Sequence, residues 1–129
     1  MAGNCSNWRD LRVLVLEDEP LLLLDMQEML KGLAVQAIIP CSSVEAAREA
    51  VAAFEFDVAI LDIMVGEATS TPLAIALQQK GVPVGFVSGT EVDSLPEELR
   101  SRPLLRKPYT PDAFGSFFAE LASKFTTGS

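Results

Sequence analysis

The sequence predicts an α/β fold in which helices cover both faces of a five-stranded parallel sheet. Short apolar segments alternate along the chain with segments of helical pattern, which is the element order of parallel sheets with right-handed crossovers. Most apolar segments lack a regular alternation of polar and apolar residues, as expected for strands buried on both faces. With 129 residues, the chain is long enough for one domain, and we expect its ordered core over about residues 11–124.

Five segments are predicted to form the strands. In chain order they are LRVLVL from Leu11, VQAIIP from Val35, DVAIL from Asp57, VPVGFVS from Val82 and PLLR from Pro103. The carboxyl ends of parallel strands meet at one edge of the sheet, which is where open α/β sheets bind ligands. Residues that directly follow the strands are therefore the first candidates for a functional site.

Most of the predicted helices have recognisable starts. Pro20 suits the first position of a helix, and the segment Ser42–Glu45 has the pattern of a capping box. Two further starts are Ser70-Thr71-Pro72 for the third helix and Thr110-Pro111-Asp112 for the fifth.

The fourth and fifth helices differ in how clearly their patterns define them. Pro96 interrupts the segment Glu91–Arg100, so we expect a short or distorted helix there. The fifth helix has apolar residues at the spacing of a stripe that packs on a sheet. These residues are Phe114, Phe117, Phe118 and Leu121.

The chain contains no histidine, which excludes several kinds of site. Ser-His-Asp and Cys-His nucleophiles, histidine-bound zinc and a phosphohistidine on this chain are ruled out. The two cysteines, Cys5 and Cys41, form neither a disulfide framework nor a metal knuckle, and so few cysteines fit a reducing compartment. We therefore expect a cytoplasmic protein.

The net charge of −8 argues against a general nucleic-acid-binding protein, because such proteins carry positive charge on the face that meets phosphate. The first ten residues lack the apolar core of a signal peptide, and the run Leu21–Leu24 is far too short to cross a bilayer. We expect a soluble protein whose partners include neither nucleic acid nor a membrane.

Charged and hydroxyl side chains follow four of the predicted strands. Glu17 and Asp18 follow the first strand, Asp62 the third, Ser88 the fourth and Lys107 the fifth. Carboxylates that meet in one pocket repel each other unless a cation joins them, and Mg²⁺ is the natural candidate for oxygen ligands. A carboxylate such as Asp62 can then attack a phosphoryl group, whose oxygens an ammonium and a hydroxyl group would stabilise.

Each of these features also has an ordinary structural explanation. An acidic residue at a helix start, such as Glu19, is favoured by the helix dipole alone. Asp62 by itself could be a turn residue, and a lysine before a proline at a strand end is usually solvated. Their occurrence together, at consecutive strand ends and in this order, favours a functional site.

This pattern resembles the receiver domain of bacterial two-component response regulators, from about Leu11 to about Lys124. The matching segments are VLVLEDEP, DVAILDIMVG, VPVGFVSG and LLRKPYTPDAF. The resemblance implies a flavodoxin-like sheet of strand order 2-1-3-4-5. It also implies that Asp62 is the phosphoacceptor, and that Glu17, Asp18 and the backbone carbonyl of Met64 help to bind Mg²⁺ (or Mn²⁺).

The resemblance further implies that Ser88 is the switch hydroxyl residue and that Lys107 is the lysine of the phosphoryl site, with Pro108 after a cis peptide bond. The sequence departs from the common pattern at Leu104, where many receivers have an aromatic switch residue. The nearest aromatic residue is Tyr109, which is also a candidate for a partner surface.

A subgroup of single-domain receivers has a Phe-x-Thr-Gly-type loop and an aromatic residue after Lys-Pro. The segment Phe86–Gly89 is similar to that loop, with Ser88 in place of threonine and Thr90 where an aromatic residue is frequent.

Two surface features are candidates for partner contacts. Leu21 and Leu24 fall on the polar side of the first helix, and we hypothesise that they dock the histidine-bearing helices of a kinase; single exposed leucines are otherwise common. Basic residues gather near the fifth strand, namely Arg100, Arg102, Arg106 and Lys107. Arg102 and Arg106 are either solvated strand flanks, which we favour, or part of a partner-binding edge.

The resemblance leads us to expect a stand-alone response regulator that receives a phosphoryl group from a sensor histidine kinase and hydrolyses it slowly. We expect a monomer or weak dimer that signals by protein contact, with a histidine phosphotransfer protein or a target protein as a further partner. One alternative is a degenerate receiver that binds partners without phosphorylation. Another is a flavin or nucleotide module, but Glu17-Asp18-Glu19 occupies the loop that would have to hold its phosphate.

Overall fold

Apart from a short hairpin after the third strand, strands and helices alternate in the order that the sequence predicts. The structure, a computed structural model, describes residues 8–89 and 95–127, and side chains as far as residue 123. The strands are β1 (Arg12–Leu16), β2 (Ala37–Cys41), β3 (Val58–Asp62), β4 (Met64–Val65), β5 (Ala68–Thr69), β6 (Val84–Ser88) and β7 (Leu104–Arg106). The helices are α1 (Pro20–Gly32), α2 (Val44–Ala53), α3 (Thr71–Gln79) and α4 (Pro111–Thr127), with a 3₁₀ helix at Glu97–Leu99.

The central sheet is parallel and has the order β2-β1-β3-β6-β7. Counted without the small β4–β5 hairpin, this is the order 2-1-3-4-5, which confirms the predicted flavodoxin-like fold. Asp62 pairs with Val87, and Ser88 pairs with Arg106. The register therefore places the ends of β3, β6 and β7 side by side.

Alternate residues of the strands face two apolar layers. Val15 and Ile60 face the layer that contains α1 and α4, whereas Leu16 and Leu61 face the layer that contains α2 and α3. All five residues of β3 are buried, so neither face of this strand is exposed to solvent. This burial explains why the apolar segments lack alternation.

The apolar stripe predicted for the last helix is confirmed, since all four of its residues are buried: Phe114, Phe117, Phe118 and Leu121. The helix lies so close to the sheet that β6 has a glycine beneath it. A Cβ atom on Gly85 would lie 2.7 Å from Phe117 Cζ and 2.8 Å from Leu121 Cδ2. Close packing thus accounts for a glycine in a central strand.

The predicted helix starts are mostly correct, with one exception at α2. Pro20 is the first residue of α1, as expected. The capping box predicted for Ser42 and Glu45 is wrong, because Ser43 is the N-cap and its Oγ accepts a hydrogen bond from Ala46 N–H at 3.0 Å. Ser43 has the extended backbone of an N-cap, which shifts Glu45 to the second helical position.

The fourth helical segment is short, as predicted. A 3₁₀ helix follows Pro96 directly, and Arg100 closes it by donating from Nε to the carbonyl oxygen of Leu95 at 2.9 Å. The residues Cys5, Thr90 and Glu91 lie outside the described part of the chain. Within that part, no helix combines the length and the apolar character needed to span a bilayer.

Candidate functional site

Three carboxylates meet at the carboxyl edge of the sheet. Glu17 and Asp18 follow β1 directly, and Asp62 is the last residue of β3. Glu17 and Asp62 are buried whereas Asp18 is exposed, and one oxygen atom from each of the three lies within 4.8 Å of the others. Glu17 is held by the backbone, because its Oε2 accepts a hydrogen bond from Glu19 N–H at 3.0 Å.

Lys107 bridges the two buried carboxylates. Its Nζ lies 2.9 Å from Asp62 Oδ2 and 3.0 Å from Glu17 Oε1. The backbone of Lys107 donates to the carbonyl oxygen of Ser88 at 2.8 Å, so the end of β6 anchors the lysine. The Lys107–Pro108 bond is cis, the geometry that the resemblance leads us to expect.

Burial and charge act together on the titration of this site. Burial raises the pKa of Asp62 to about 6, although the hydrogen bond from Lys107 lowers it and the Glu17 carboxylate adds repulsion. Burial alone would lower the pKa of Lys107, but its hydrogen bond to Asp62 and the nearby Glu17 carboxylate outweigh that effect and raise it. Lys107 therefore remains an ammonium group and compensates only part of the negative charge.

The remaining negative charge suits a divalent cation. Glu17 Oε1 is buried and accepts no hydrogen bond from any described residue, so the ion pair with Lys107 is its charge compensation. Asp18 is oriented by the β4–β5 hairpin, because its Oδ2 accepts a hydrogen bond from Gly66 N–H at 2.8 Å. Three carboxylates are hard oxygen donors, which fit Mg²⁺ or Mn²⁺ better than soft metal ions.

The carboxylates line an open pocket of about 580 Å³. Met64, Gly89 and Lys107 contribute to its walls, and so does the exposed side chain of Leu21. Ser88, the last residue of β6, is buried and directly precedes Gly89, which lines the pocket. A small anionic group could thus reach Asp62 from solvent.

The candidates for partner contacts fall at different places. Leu21 and Leu24 are 70% and 51% exposed on α1. Tyr109 is half-buried, with its ring centroid 5.9 Å from that of Phe114. Arg106 is exposed and Arg102 is half-buried.

The basic group that the sequence suggests is divided in the structure. Arg100 binds the backbone of Leu95, whereas the Lys107 ammonium group is turned into the acidic pocket. Arg106 is exposed, and Arg102 donates from Nη2 to Ser101 Oγ at 3.2 Å on the surface, so these two remain the candidates for a partner edge.

The hairpin that holds Asp18 was not predicted from the sequence. Its turn contains Gly66 with a φ of 62°, a left-handed conformation that favours glycine. A glycine four residues after Asp62 is the signal that could have predicted this turn. A groove of about 470 Å³ between α1 and the segment that contains Pro108 and Tyr109 was likewise not predicted.

No protein-family model matches the chain, and neither does any curated protein. Solved structures do match. SdrG from Sphingomonas melonis Fr1 is 33% identical over 86% of this chain and 95% of that chain, with a TM-score of 0.72. The BeF3-activated conformation of SdrG from Pseudomonas melonis Fr1 is 32% identical over the same shares, with a TM-score of 0.71.

A third match is the REC domain of the PhyR response regulator from Erythrobacter litoralis. It is 25% identical over 86% of this chain and 88% of that chain, with a TM-score of 0.71. The fold, the strand order and the 33% sequence identity to SdrG all indicate the same family. The chain therefore belongs to the family of response-regulator receiver domains.

Proposed function

We propose that the protein is a response regulator in which Asp62 accepts a phosphoryl group from a phosphohistidine of a sensor kinase. The observation that carries this proposal is the contact of Lys107 with Asp62 and Glu17 at the edge of an open pocket. A buried carboxylate that faces a fixed ammonium group is poised to form a negatively charged adduct. The absence of histidine from the chain fits a donor histidine on another protein.

The transfer exchanges one bond for another. A carboxylate oxygen of Asp62 attacks phosphorus, the bond between phosphorus and the donor imidazole nitrogen breaks, and an acyl phosphate forms while the imidazole takes a proton from solvent. The Lys107 ammonium and the Ser88 hydroxyl group would stabilise the phosphoryl oxygens. Attack by water on the acyl phosphate would later regenerate Asp62 slowly.

A divalent cation completes the proposed site. Glu17, Asp18, Asp62 and the backbone carbonyl of Met64 would hold Mg²⁺ or Mn²⁺, which would neutralise charge on the transferred group. Gly66 supports this assignment, because its hydrogen bond to Asp18 fixes the most exposed of the three carboxylates.

Partner contacts would surround the pocket. Leu21 lines it and Leu24 follows on the same helix, so an apolar patch lies beside the phosphoacceptor. We propose that this patch docks the kinase, and that phosphorylation changes contacts with a target or a histidine phosphotransfer protein. Onward relay, phosphate drainage from a kinase and target binding are three uses that this site can serve. The BeF3-activated conformation of SdrG supports a switch of this kind, since BeF3 bound to an oxygen has the shape of a phosphoryl group.

One observation favours a second candidate function, a degenerate receiver that binds partners without phosphorylation. Leu104 takes the place of the usual aromatic switch residue, and it packs against the layer that contains α2 and α3. A leucine at this position has no aromatic ring whose rotamer could change together with the Ser88 hydroxyl group. The protein would then present one fixed surface.

Incubation with Mg²⁺ and acetyl phosphate distinguishes the two functions. We expect intact-mass spectrometry to find one added phosphoryl group on the wild type and on Asp112→Asn, an exposed matched control. We expect no addition to Asp62→Asn. A wild type that gains no mass from acetyl phosphate or from candidate kinases supports the degenerate receiver and contradicts the phosphoacceptor.

A further inference from the structure

A second concave site lies at the amino edge of the sheet. It is a cavity of about 600 Å³ between the ends of α2 and α3. Two residues that line it, Phe56 and Val82, each come two residues before the start of a strand, β3 and β6 respectively. Asp62 and Ser88 are the last residues of the same two strands. The cavity therefore lies at the other end of the sheet from the proposed phosphoacceptor, and the proposed function does not use it.

An exposed aromatic side chain borders this cavity. The side chain of Phe54 lines it and is 45% exposed, yet its ring is held on two sides. The guanidinium carbon of Arg12 lies 5.3 Å from the ring centroid, and the ring of Phe56 meets it edge-on with 6.4 Å between centroids. Arg12 Nη1 also donates to the carbonyl oxygen of Glu55 at 3.3 Å, which ties this segment to β1. An aromatic ring that is ordered before binding loses little entropy on association, and such rings are typical anchors of protein interfaces.

Two side chains of opposite charge line the same cavity. Glu55 and Lys80 are both exposed there. Among the residues that the structure describes, neither of them forms an ion pair. A two-fold axis through this face would bring Glu55 of one copy of the chain to Lys80 of a second copy, and the reverse contact would form at the same time. The charges of the face are thus complementary to those of the same face on another copy.

We propose that this face is the interface of a symmetric homodimer. In an interface with two-fold symmetry a patch meets its own copy, so it must contain both of the parts that fit together. Here the ring of Phe54 lies beside a cavity that is large enough for the same ring of the second copy, and Val51 and Leu77 would contribute apolar contacts to it. The dimer would leave the pocket around Asp62 open in both copies, because that pocket lies at the other edge of the sheet. The inference does not depend on the proposed function.

Sedimentation equilibrium at physiological salt, which screens the net charge of −8 on each copy, measures the association. The patch is small, so we expect a weak dimer with a dissociation constant of roughly 100 µM. Phe54→Ser should stay monomeric up to about 1 mM, because symmetry removes the ring from both sides of the interface. Glu49→Lys reverses an exposed charge of α2 that does not line the cavity, and it should dimerise like the wild type. A wild type that is still monomeric at about 1 mM overturns the inference.

Charge exchange tests which face forms the contact. Glu55→Lys alone brings lysines together across the axis, and Lys80→Glu alone brings glutamates together, so each variant should dimerise roughly tenfold more weakly than the wild type. An equal mixture of the two variants should recover the wild-type affinity, because each copy then meets the opposite charges. If mixing recovers nothing, or if Glu55→Lys dimerises as well as Glu49→Lys, this face is not the interface and the inference is overturned. Phosphorylation of Asp62 by acetyl phosphate should be the same in Phe54→Ser and in the wild type, so the two proposals can fail separately.

Discussion

Lys107 Nζ lies 2.9 Å from Asp62 Oδ2, and this contact joins the ends of two strands that are not neighbours in the sheet. β6 lies between them, and its last residue, Ser88, accepts a hydrogen bond from the backbone of Lys107. The lysine thus reaches over one strand to the carboxylate. Its position depends on the sheet register, so the site forms only when the strands are correctly paired.

The first prediction concerns the pH dependence of stability. Burial raises the pKa of Asp62 to about 6, above its value in the unfolded chain, so the folded state binds the proton more tightly. The contribution of Asp62 to the unfolding free energy is therefore greatest below about pH 4 and is lost as the pH rises through about 6. We expect Asp62→Asn to be more stable than the wild type at pH 8, by about 2 kcal/mol, and to lose most of this advantage at pH 4.5.

Urea unfolding at the two pH values measures this difference. Glu49→Gln, which changes an exposed carboxylate within α2, should follow the wild type at both. An equal effect of Asp62→Asn at pH 8 and pH 4.5 would show that the charge of Asp62 is not the cause.

The second prediction compares two lysines in ion pairs. Lys107→Met leaves Glu17 and Asp62 buried together without a counter-charge, and we expect the unfolding free energy at pH 8 to fall by about 2–3 kcal/mol. Lys31→Met breaks an exposed pair with Glu28 at 3.6 Å and should cost less than about 0.5 kcal/mol. If chemical denaturation shows that both variants lose a similar amount of unfolding free energy, the bridging role of Lys107 is contradicted.

The sequence predicts which residues form the site, but not the contacts that hold their side chains. Glu17, Asp62, Ser88 and Lys107 can be placed together because the ends of parallel strands share one edge. The bridge of Lys107 to two carboxylates could not be predicted, since it depends on a side-chain direction that spacing does not encode. The hydrogen bond from Gly66 to Asp18 was missed for a similar reason: the glycine indicates a turn, but residue type does not show which side chain a backbone N–H will meet.

The main strands were predictable from the sequence, whereas the exact start of α2 and the shortest strands were not. Burial on both faces makes β3 a continuous apolar run, which the sequence shows directly. At α2, two consecutive serines can both act as N-cap, and only the backbone of Ser43 selects between them. The two-residue strands β4 and β5 are too short to have a pattern.

The third prediction concerns close packing at Gly85. Gly85→Ala places a methyl group within 3 Å of Phe117 and Leu121, and we expect a loss of about 1–3 kcal/mol of unfolding free energy. Gly115→Ala in α4 meets no atom within 4 Å and should gain about 0.5–1 kcal/mol from helix propensity. Thermal or urea unfolding of the pair checks both signs, and a neutral Gly85→Ala would show that α4 can shift freely.

The fourth prediction concerns the end of α1. Ala34 has a φ of 72°. Its N–H donates to the carbonyl oxygen of Lys31, and Val35 N–H donates to the carbonyl oxygen of Leu30. This is the hydrogen-bond pattern of a Schellman cap. Alanine is strained in this left-handed conformation, so Ala34→Gly should raise the unfolding free energy by about 1 kcal/mol. The opposite sign is expected for Ala119→Gly, an exposed position within α4. Destabilisation by both changes would mean that the cap is not strained.

The fifth prediction tests the apolar patch beside the phosphoacceptor. Leu21 and Leu24 are exposed on α1, where they contribute nothing to the buried core. Replacing both with serine should therefore lower the unfolding free energy by no more than about 1 kcal/mol, the difference in helix propensity. If they dock a kinase, the same change should slow transfer from the kinase phosphohistidine by roughly tenfold, the effect of losing about 1.4 kcal/mol of interface energy.

Acetyl phosphate and a second exposed residue provide the controls. Acetyl phosphate is too small to need the patch, so Leu21→Ser/Leu24→Ser should accept its phosphoryl group at the wild-type rate. Phe54 is 45% exposed and is the C-cap residue of α2, which packs on the opposite face of the sheet from α1. Phe54→Ser should therefore not slow transfer from the kinase. Equal slowing with acetyl phosphate would assign the leucines to the chemistry of the pocket, and unchanged transfer from the kinase would remove them from the docking surface.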